Sequence, residues 1–202
     1  MRPLQYVAGA GALGPDVLVV HAVQLDDNDI ATLAGSGAAV AHCPRSNIRL
    51  HCGVAPVAEL LEAGVTVGLG TDSLASNDSL DMLAEMRCAL EVGRSRASRP
   101  GGPAALTAAS VLQMATLEGA RALGWEGQVG SLEAGKRADL AAVRLASALP
   151  ATASAEDLAE AVMQGEVGLT MVEGRMAYDG DEMPSEALLA LLSVRRKLGL
   201  RG

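Results

Sequence analysis

Three side chains in the first half of this sequence have the types and placement for hydrolytic chemistry: His21, His42 and Asp72. His21 closes the apolar run DVLVVH, His42 ends the apolar stretch of AAVAHC, and Asp72 follows VTVGLG in a Gly-Thr-Asp-Ser turn. Imidazole and carboxylate are ligands of choice for zinc or iron, and a carboxylate beside a metal-bound water can serve as general base. Each residue alone has a plainer reading. A histidine at a strand end is more often a hydrogen-bonded structural residue, and Asp72 could simply cap the next helix. Three such residues at three successive strand ends are hard to explain as independent caps, and they are expected to converge. Ser46 and Asn47 in HCPRSN suit a turn closed by side chain to backbone bonds as well as they suit substrate contact. His51 falls in a loop and receives no role.

Those residues need a frame that brings strand ends together. DVLVVH, AAVAHC and VTVGLG are continuous apolar runs of strand length, which read as strands buried on both faces of a parallel sheet. Helices are expected between them: LDDNDIATLAGSG, with Asp26 or Asp27 near its start and Gly35 or Gly37 at its end, then PVAELLEAG, opened by Pro56 and closed by Gly64. SLDMLAEMRCALEVGR follows as a longer helix opened by Asn77, Asp78 or Ser79, and Thr107 caps one further helix that Gly124 ends. All C-terminal strand ends of a parallel sheet lie on one rim, where both barrels and open α/β sheets build their sites. Position alone does not separate those two architectures. Beyond Gly124 the pattern turns to strands, one from Asp139 onward and two within GLTMVEGRMAYDG joined at Glu173-Gly174, with ASALPATASAED as a surface loop. SEALLALLSVRRKLG reads as an amphipathic terminal helix.

Composition narrows the function class. The chain has 202 residues, half of them apolar, and a net charge of −8. That charge, with only two tyrosines, one tryptophan and no phenylalanine for base stacking, disfavours nucleic acid as a partner. No apolar run reaches membrane-spanning length and the first residues lack a signal-peptide layout, so a cytoplasmic setting is expected. Cys43, Cys52 and Cys88 are odd in number and form no CxxC pair, which suggests neither a disulfide framework nor a zinc clip. GLG lacks the spacing of a phosphate loop, and no GxSxG nucleophile elbow is present.

The run from VVHAVQLDD through AHCPRSN to VGLGTDSLASNDSLDMLAEMR strongly resembles the metal-dependent amidohydrolases, in the branch of triazine chlorohydrolases, guanine deaminase and adenosyl-nucleoside deaminases. ATLEGARALG and GSLEAGKRADLAAV match the return of that family into a small β-sandwich. The resemblance implies an α/β fold, the C-terminal segment of a distorted (β/α)8 TIM barrel plus the C-terminal part of a β-sandwich. Residues 1–124 would supply the last barrel strands and helices, 125–182 the sandwich portion, and 183–202 the terminal helix. It implies that Asp72 binds one divalent metal, zinc or iron, and takes the proton of the attacking water, while His21 bonds that water or the substrate. It also implies that Ser46, Asn47, Ser73 and Asn77 shape the substrate site. His42 matches a recurrent family position outside the usual ligands. The implied reaction is hydrolysis of a C–N bond in a small heterocycle, removing ammonia from a purine or related ring.

One departure matters. The family draws metal ligands from an HxH pair after strand one and a histidine after strand five, and no HxH occurs here. RPLQYVAGAGALGP resembles the helix between strands five and six. The expectation is therefore the C-terminal part of such an enzyme, with its proton-donating glutamate upstream and a metal not retained by this chain alone, since catalytic zinc takes about three protein ligands. The alternative is a non-catalytic or split-enzyme module whose exposed edges are covered by a homo-oligomer or a separate N-terminal half. A plain α/β ligand-binding domain is disfavoured by the GTDS run.

Overall fold

The three apolar runs form β1 (Leu18–Val20), β2 (Ala39–His42) and β3 (Val67–Leu69), a parallel sheet in the order β1-β2-β3. The computed structural model describes residues 2–180, so the helix expected over 183–202 lies outside the described residues. Val19, Val40 and Val67 stand in register on one face, and the core continues from them through Leu33, Leu60, Ala89 and Val111. The opposite face carries Val20, Ala41 and Gly68 in register.

The helices around the sheet start and stop where their end residues dictate. In α2 (Asp27–Ser36), Asp26 and Asp29 form a reciprocal capping box and Gly37 closes the helix at φ 74°. The short helix α1 (Pro3–Gly9) is tied to α2 through buried Asp29, which accepts from Arg2 Nε at 2.6 Å and Gln5 Nε2 at 2.8 Å. After β2 the chain enters α3 (Pro44–Arg49), one turn and a half where sequence reading expects only a bend. Proline at a first helical position loses no intrahelical bond, so Pro44 starts a helix here. Helix α4 (Val57–Glu62) leads into β3.

Helix α5 (Met82–Ala97) is capped by Asp81, whose side chain accepts from Ala84 N, rather than by Asn77, Asp78 or Ser79. The single helix expected from Thr107 to Gly124 is two, α6 (Ala108–Met114) and α7 (Leu117–Ala122), broken where Thr116 leaves helical geometry. Helix α7 lies against the small-residue face of the sheet, with Gly119 Cα 3.0 Å from the position a Gly68 side chain would take. Beyond α7 no described element covers Leu18 and Val20, which are 36% and 48% exposed.

A separate antiparallel sheet, order β4-β5-β6, comprises β4 (Leu140–Arg144), β5 (Glu166–Val172) and β6 (Arg175–Asp179). The β5–β6 turn holds Glu173 and Gly174 at φ 51° and 76°, the left-handed pair that tight hairpins favour. The loop expected through Asp157 gives way to α8 (Ala155–Met163), capped by Ser154 and Asp157, whose apolar residues Ala159 and Met163 pack on the core. The result is a mixed α/β chain in which, among the described residues, the three parallel strands do not close a barrel. A second sheet to stack on β4-β5-β6 is not among the described residues. No described helix is long and apolar enough to cross a membrane.

Candidate active site

The parallel sheet delivers its C-terminal strand ends to one rim, and the backbone there is unusual. His21, Ala22 and Asp72 sit at φ 72°, 49° and 57°, the left-handed region that non-glycine residues seldom occupy. The ladder persists to the rim, with His21 N donating to Ala41 O and Gly70 N to His42 O, both at 2.9 Å. The turns are therefore held by the sheet while they aim His21 and Asp72 toward each other. His21 Nε2 lies 3.8 Å from Asp72 Oδ2, with the side chains 40% and 27% exposed.

Each of the two is fixed by neighbours. Ser46 Oγ and Ser76 Oγ both donate to Asp72 Oδ2 at 2.6 Å. These bonds, Ser46 first, with the Ser73 backbone N–H, hold the Asp72 carboxyl down at about 2 against a smaller opposing effect of burial. His21 Nδ1 lies 2.9 Å from Asn47 Oδ1. An amide oxygen only accepts, so Nδ1 is the donor in this contact and Nε2 is the nitrogen that faces Asp72. Nε2 and Oδ2, 3.8 Å apart, leave room for a hydroxyl or water to bond to both.

Beneath the rim is a buried carboxylate. Glu85 of α5, fully enclosed, accepts from Asn77 Nδ2 at 2.5 Å and from Arg45 N at 3.3 Å. Burial pushes its pKa up, and the hydrogen bonds from Arg45 and Asn77 work the other way. Asn77 Nδ2 also donates to Thr71 O at 2.8 Å.

Of the expected residues, then, Asp72, His21, Ser46 and Asn47 come together. Ser73 is exposed beside Asp72, while Asn77 is buried with its amide directed to Thr71 and Glu85. His42 does not converge with the others, because strand alternation puts it on the helix-covered face with Val40. It borders a cavity of about 10 Å³ lined by Val57, Ala58, Ala89 and Leu106, and neither ring nitrogen has a hydrogen-bond partner. Burial, assisted by the His21 charge, lowers its pKa to about 4. Ser76 and Glu85 escaped sequence reading. A glutamate on the apolar stripe of Leu83, Met86, Ala89 and Leu90 was the available signal for the second.

Among the described residues no group of three or more His, Cys, Asp and Glu side chains is arranged to hold a metal. Asp72 and His21 fall one short of the three protein ligands that catalytic zinc takes, so the described residues do not by themselves fit a metal centre. Cys43, Cys52 and Cys88 are free.

The model of the amidohydrolase family matches residues 1–177. A 5-methylthioadenosine/S-adenosylhomocysteine deaminase of Teredinibacter turnerae is 51% identical over 142 residues, covering 70% of this chain and 31% of that protein. One of the same name from Moorella thermoacetica is 43% identical over 202 residues, covering 98% and 46%. An adenosine deaminase from Xanthomonas campestris, solved with bound zinc, matches with a TM-score of 0.79 and 34% identity over 98% of this chain and 46% of that one. The chain thus spans less than half the length of these relatives.

Proposed function

This chain belongs to the amidohydrolase family, and from that membership we propose that it supplies the proton-handling carboxylate and its partner imidazole to a hydrolase that deaminates a purine-like ring. The observation that carries the reading is Asp72, held ionised by Ser46 and Ser76 and facing His21 across 3.8 Å. The names of the relatives support an aminopurine nucleoside as substrate.

In the proposed reaction water adds to the ring carbon that bears the amino group, the C–N bond breaks, and ammonia leaves with a proton that came from the water. Asp72 takes that proton from the attacking water and returns it toward the leaving nitrogen. A carboxylate held at about 2 stays ionised across the physiological range, so it removes a proton only from a donor that has itself been made acidic. His21, oriented by Asn47, meets the same water or the developing oxyanion through Nε2. Ser73, at the lip, contacts substrate. Ser46 and Asn77 shape the site through Asp72 and its loop. One divalent metal, zinc or iron, would take Asp72 as a ligand, and the described residues would not supply the rest of its coordination. Residues 1–124 belong to the barrel portion and 125–182 to the sandwich portion in this reading.

A second reading, a module that a partner chain must complete, is favoured by the uncovered face bearing Leu18 and Val20. One experiment addresses both. Ammonia release from 5-methylthioadenosine is followed with the chain and zinc, alone and with the part of a homologous deaminase that this chain does not match. Activity only in the mixture supports completion by a partner. In whichever preparation is active, D72N is expected to lower the rate about 100-fold or more. A D72N rate equal to the native one would overturn the assignment of Asp72.

A further inference from the structure

We infer that Glu85 is the positioning residue of this site, one buried carboxylate that fixes both the start of α3 and the loop after β3, which meet at Asp72. The inference rests on the reading of Asp72 as the reacting carboxylate, but its geometry stands apart from any activity.

A fully buried carboxylate is costly unless hydrogen bonds and charge compensate it. The nearest cation here, Arg45 Nη1, is 3.9 Å from Oε1, too far for a hydrogen bond. The compensation comes mainly from two N–H donors, and both belong to the rim. Arg45 N, bonded to Oε2, immediately precedes Ser46, whose hydroxyl reaches Asp72. Asn77 Nδ2, bonded to Oε1, also holds Thr71 O, the carbonyl immediately before Asp72. The two oxygens of Glu85 thus begin two short paths, through Arg45–Ser46 and through Asn77–Thr71, that end on the same carboxylate.

That arrangement explains how Asp72 keeps φ 57°, a conformation a lone turn would seldom hold. It also makes both oxygens of Glu85 necessary. Glutamine has the same shape with a single acceptor, and its amide N–H₂ would face either the Asn77 amide or the Arg45 N–H, donor against donor. A residue that merely filled the core would tolerate that exchange.

The test uses NMR of the intact chain at one neutral pH, comparing native protein with E85Q, N77A and M86L, the last a volume-conserving change of the buried neighbour of Glu85 on α5 that leaves both hydrogen-bonded paths intact. The readouts are the Asp72 carboxyl ¹³C resonance and the backbone amides of Ser46, Thr71 and Asp72. E85Q is expected to move all four well beyond the M86L control. N77A, which cuts one path, is expected to move Thr71 and Asp72 and leave Ser46 in place. A folded E85Q with Asp72 and Ser46 at their native positions overturns the inference, as does N77A with an unmoved Thr71 and Asp72. Should E85Q fail to fold, N77A decides alone. Shifts as expected in a chain that never releases ammonia, with or without its complement, would leave Glu85 as the positioning residue and remove the deaminase reading instead.

Discussion

The hydroxyl of Ser46 stands 2.6 Å from Oδ2 of Asp72 and ties the turn after β2 to the turn after β3. Ser76 repeats the bond from within the Asp72 loop. Hydrogen bonds to a carboxylate favour its charged form, so these hydroxyls are what keep Asp72 near 2.

Removing them should release the carboxyl. In S46A the Asp72 pKa is expected to rise from about 2 toward its ordinary 3.8, and further in S46A/S76A. Because the folded value lies below the unfolded one, the stabilisation is present above about 3.8 and is lost as pH falls through about 2. The double variant should therefore lose less stability than native protein on acidification across that window. Carboxyl ¹³C titration reads the shift directly, and an unmoved Asp72 in the double variant would remove the serines as its cause.

His42 gives a second pH effect of opposite origin. Here the neutral form is favoured on folding, with a folded value of about 4 against 6.5 for the free side chain. Above about 6.5 both states are neutral and nothing changes. Below it the unfolded chain takes up a proton that the folded chain refuses, so stability falls until about pH 4, by on the order of 3 kcal/mol in total. His21 acts on it through charge, and Arg96, paired with Glu59, stands on the cavity wall. Urea unfolding at pH 7, 5.5 and 4 should show a shallower decline for H42Q than for native protein. An equally steep decline in H42Q would place the acid sensitivity elsewhere.

Much of this frame was legible because single residues decide it. Asp26, Gly37 and Thr107 cap their helices as their types predict, and three apolar runs give three parallel strands. The rim positions of His21 and Asp72 follow from strand ends alone. What stayed hidden depends on tertiary partners. His42 sits at a strand end like the others, yet alternation sends it to the opposite face, and a short apolar strand does not reveal which face will be covered. Helix α8 was masked by loop-like composition, although Ser154 and Asp157 supplied a capping box. Glu85 shows how burial inverts a residue's ordinary meaning: a charge in a helix usually faces water, and this one faces the start of α3 and the loop after β3.

Gly68 and Gly119 test the packing beneath the site. A side-chain carbon at Gly68 would lie 3.0 Å from Gly119 Cα, a backbone atom that yields only if α7 moves. G68A should therefore cost about 1–3 kcal/mol. Gly35, inside α2, has open space where its side chain would be. G35A should stabilise by roughly 0.5–1 kcal/mol through helix propensity. Chemical denaturation of the two single variants separates the effects, and a loss in both would mean that α2 is covered where it looks free.

Glu156 links α8 to α6 by an unusual cap. Its carboxylate accepts from Ala108 N and Ala109 N at 2.7 and 2.9 Å, satisfying two N–H groups that α6 cannot pair internally. Those bonds lower its pKa, Ala109 first, so their contribution is present above 4.5 and fades as pH falls below it. E156A should lower the melting temperature at pH 7, and the gap from native protein should narrow in acid. A constant gap would show that Glu156 acts by packing instead of by charge.

The metal question turns on a count of ligands. Asp72 and His21 offer two, and the nearest soft candidate, Cys43, is poorly prepared to be a third. Its thiol is pushed up to about 11, by burial first and then by the charges of Asp72 and Glu85, whereas a metal binds the thiolate. His51 and Cys52 are exposed around the turn that follows α3, and neither belongs to a cluster of three ligand types. Native mass spectrometry of the chain with added zinc should accordingly show no stoichiometric metal, while NMR detects weak, D72N-sensitive shifts at His21. One zinc retained per chain would mean that the chain or its oligomer assembles a third ligand. Its loss in H51A or C52A would then identify which one, and would require the rim to be rebuilt around a residue that now lies outside it.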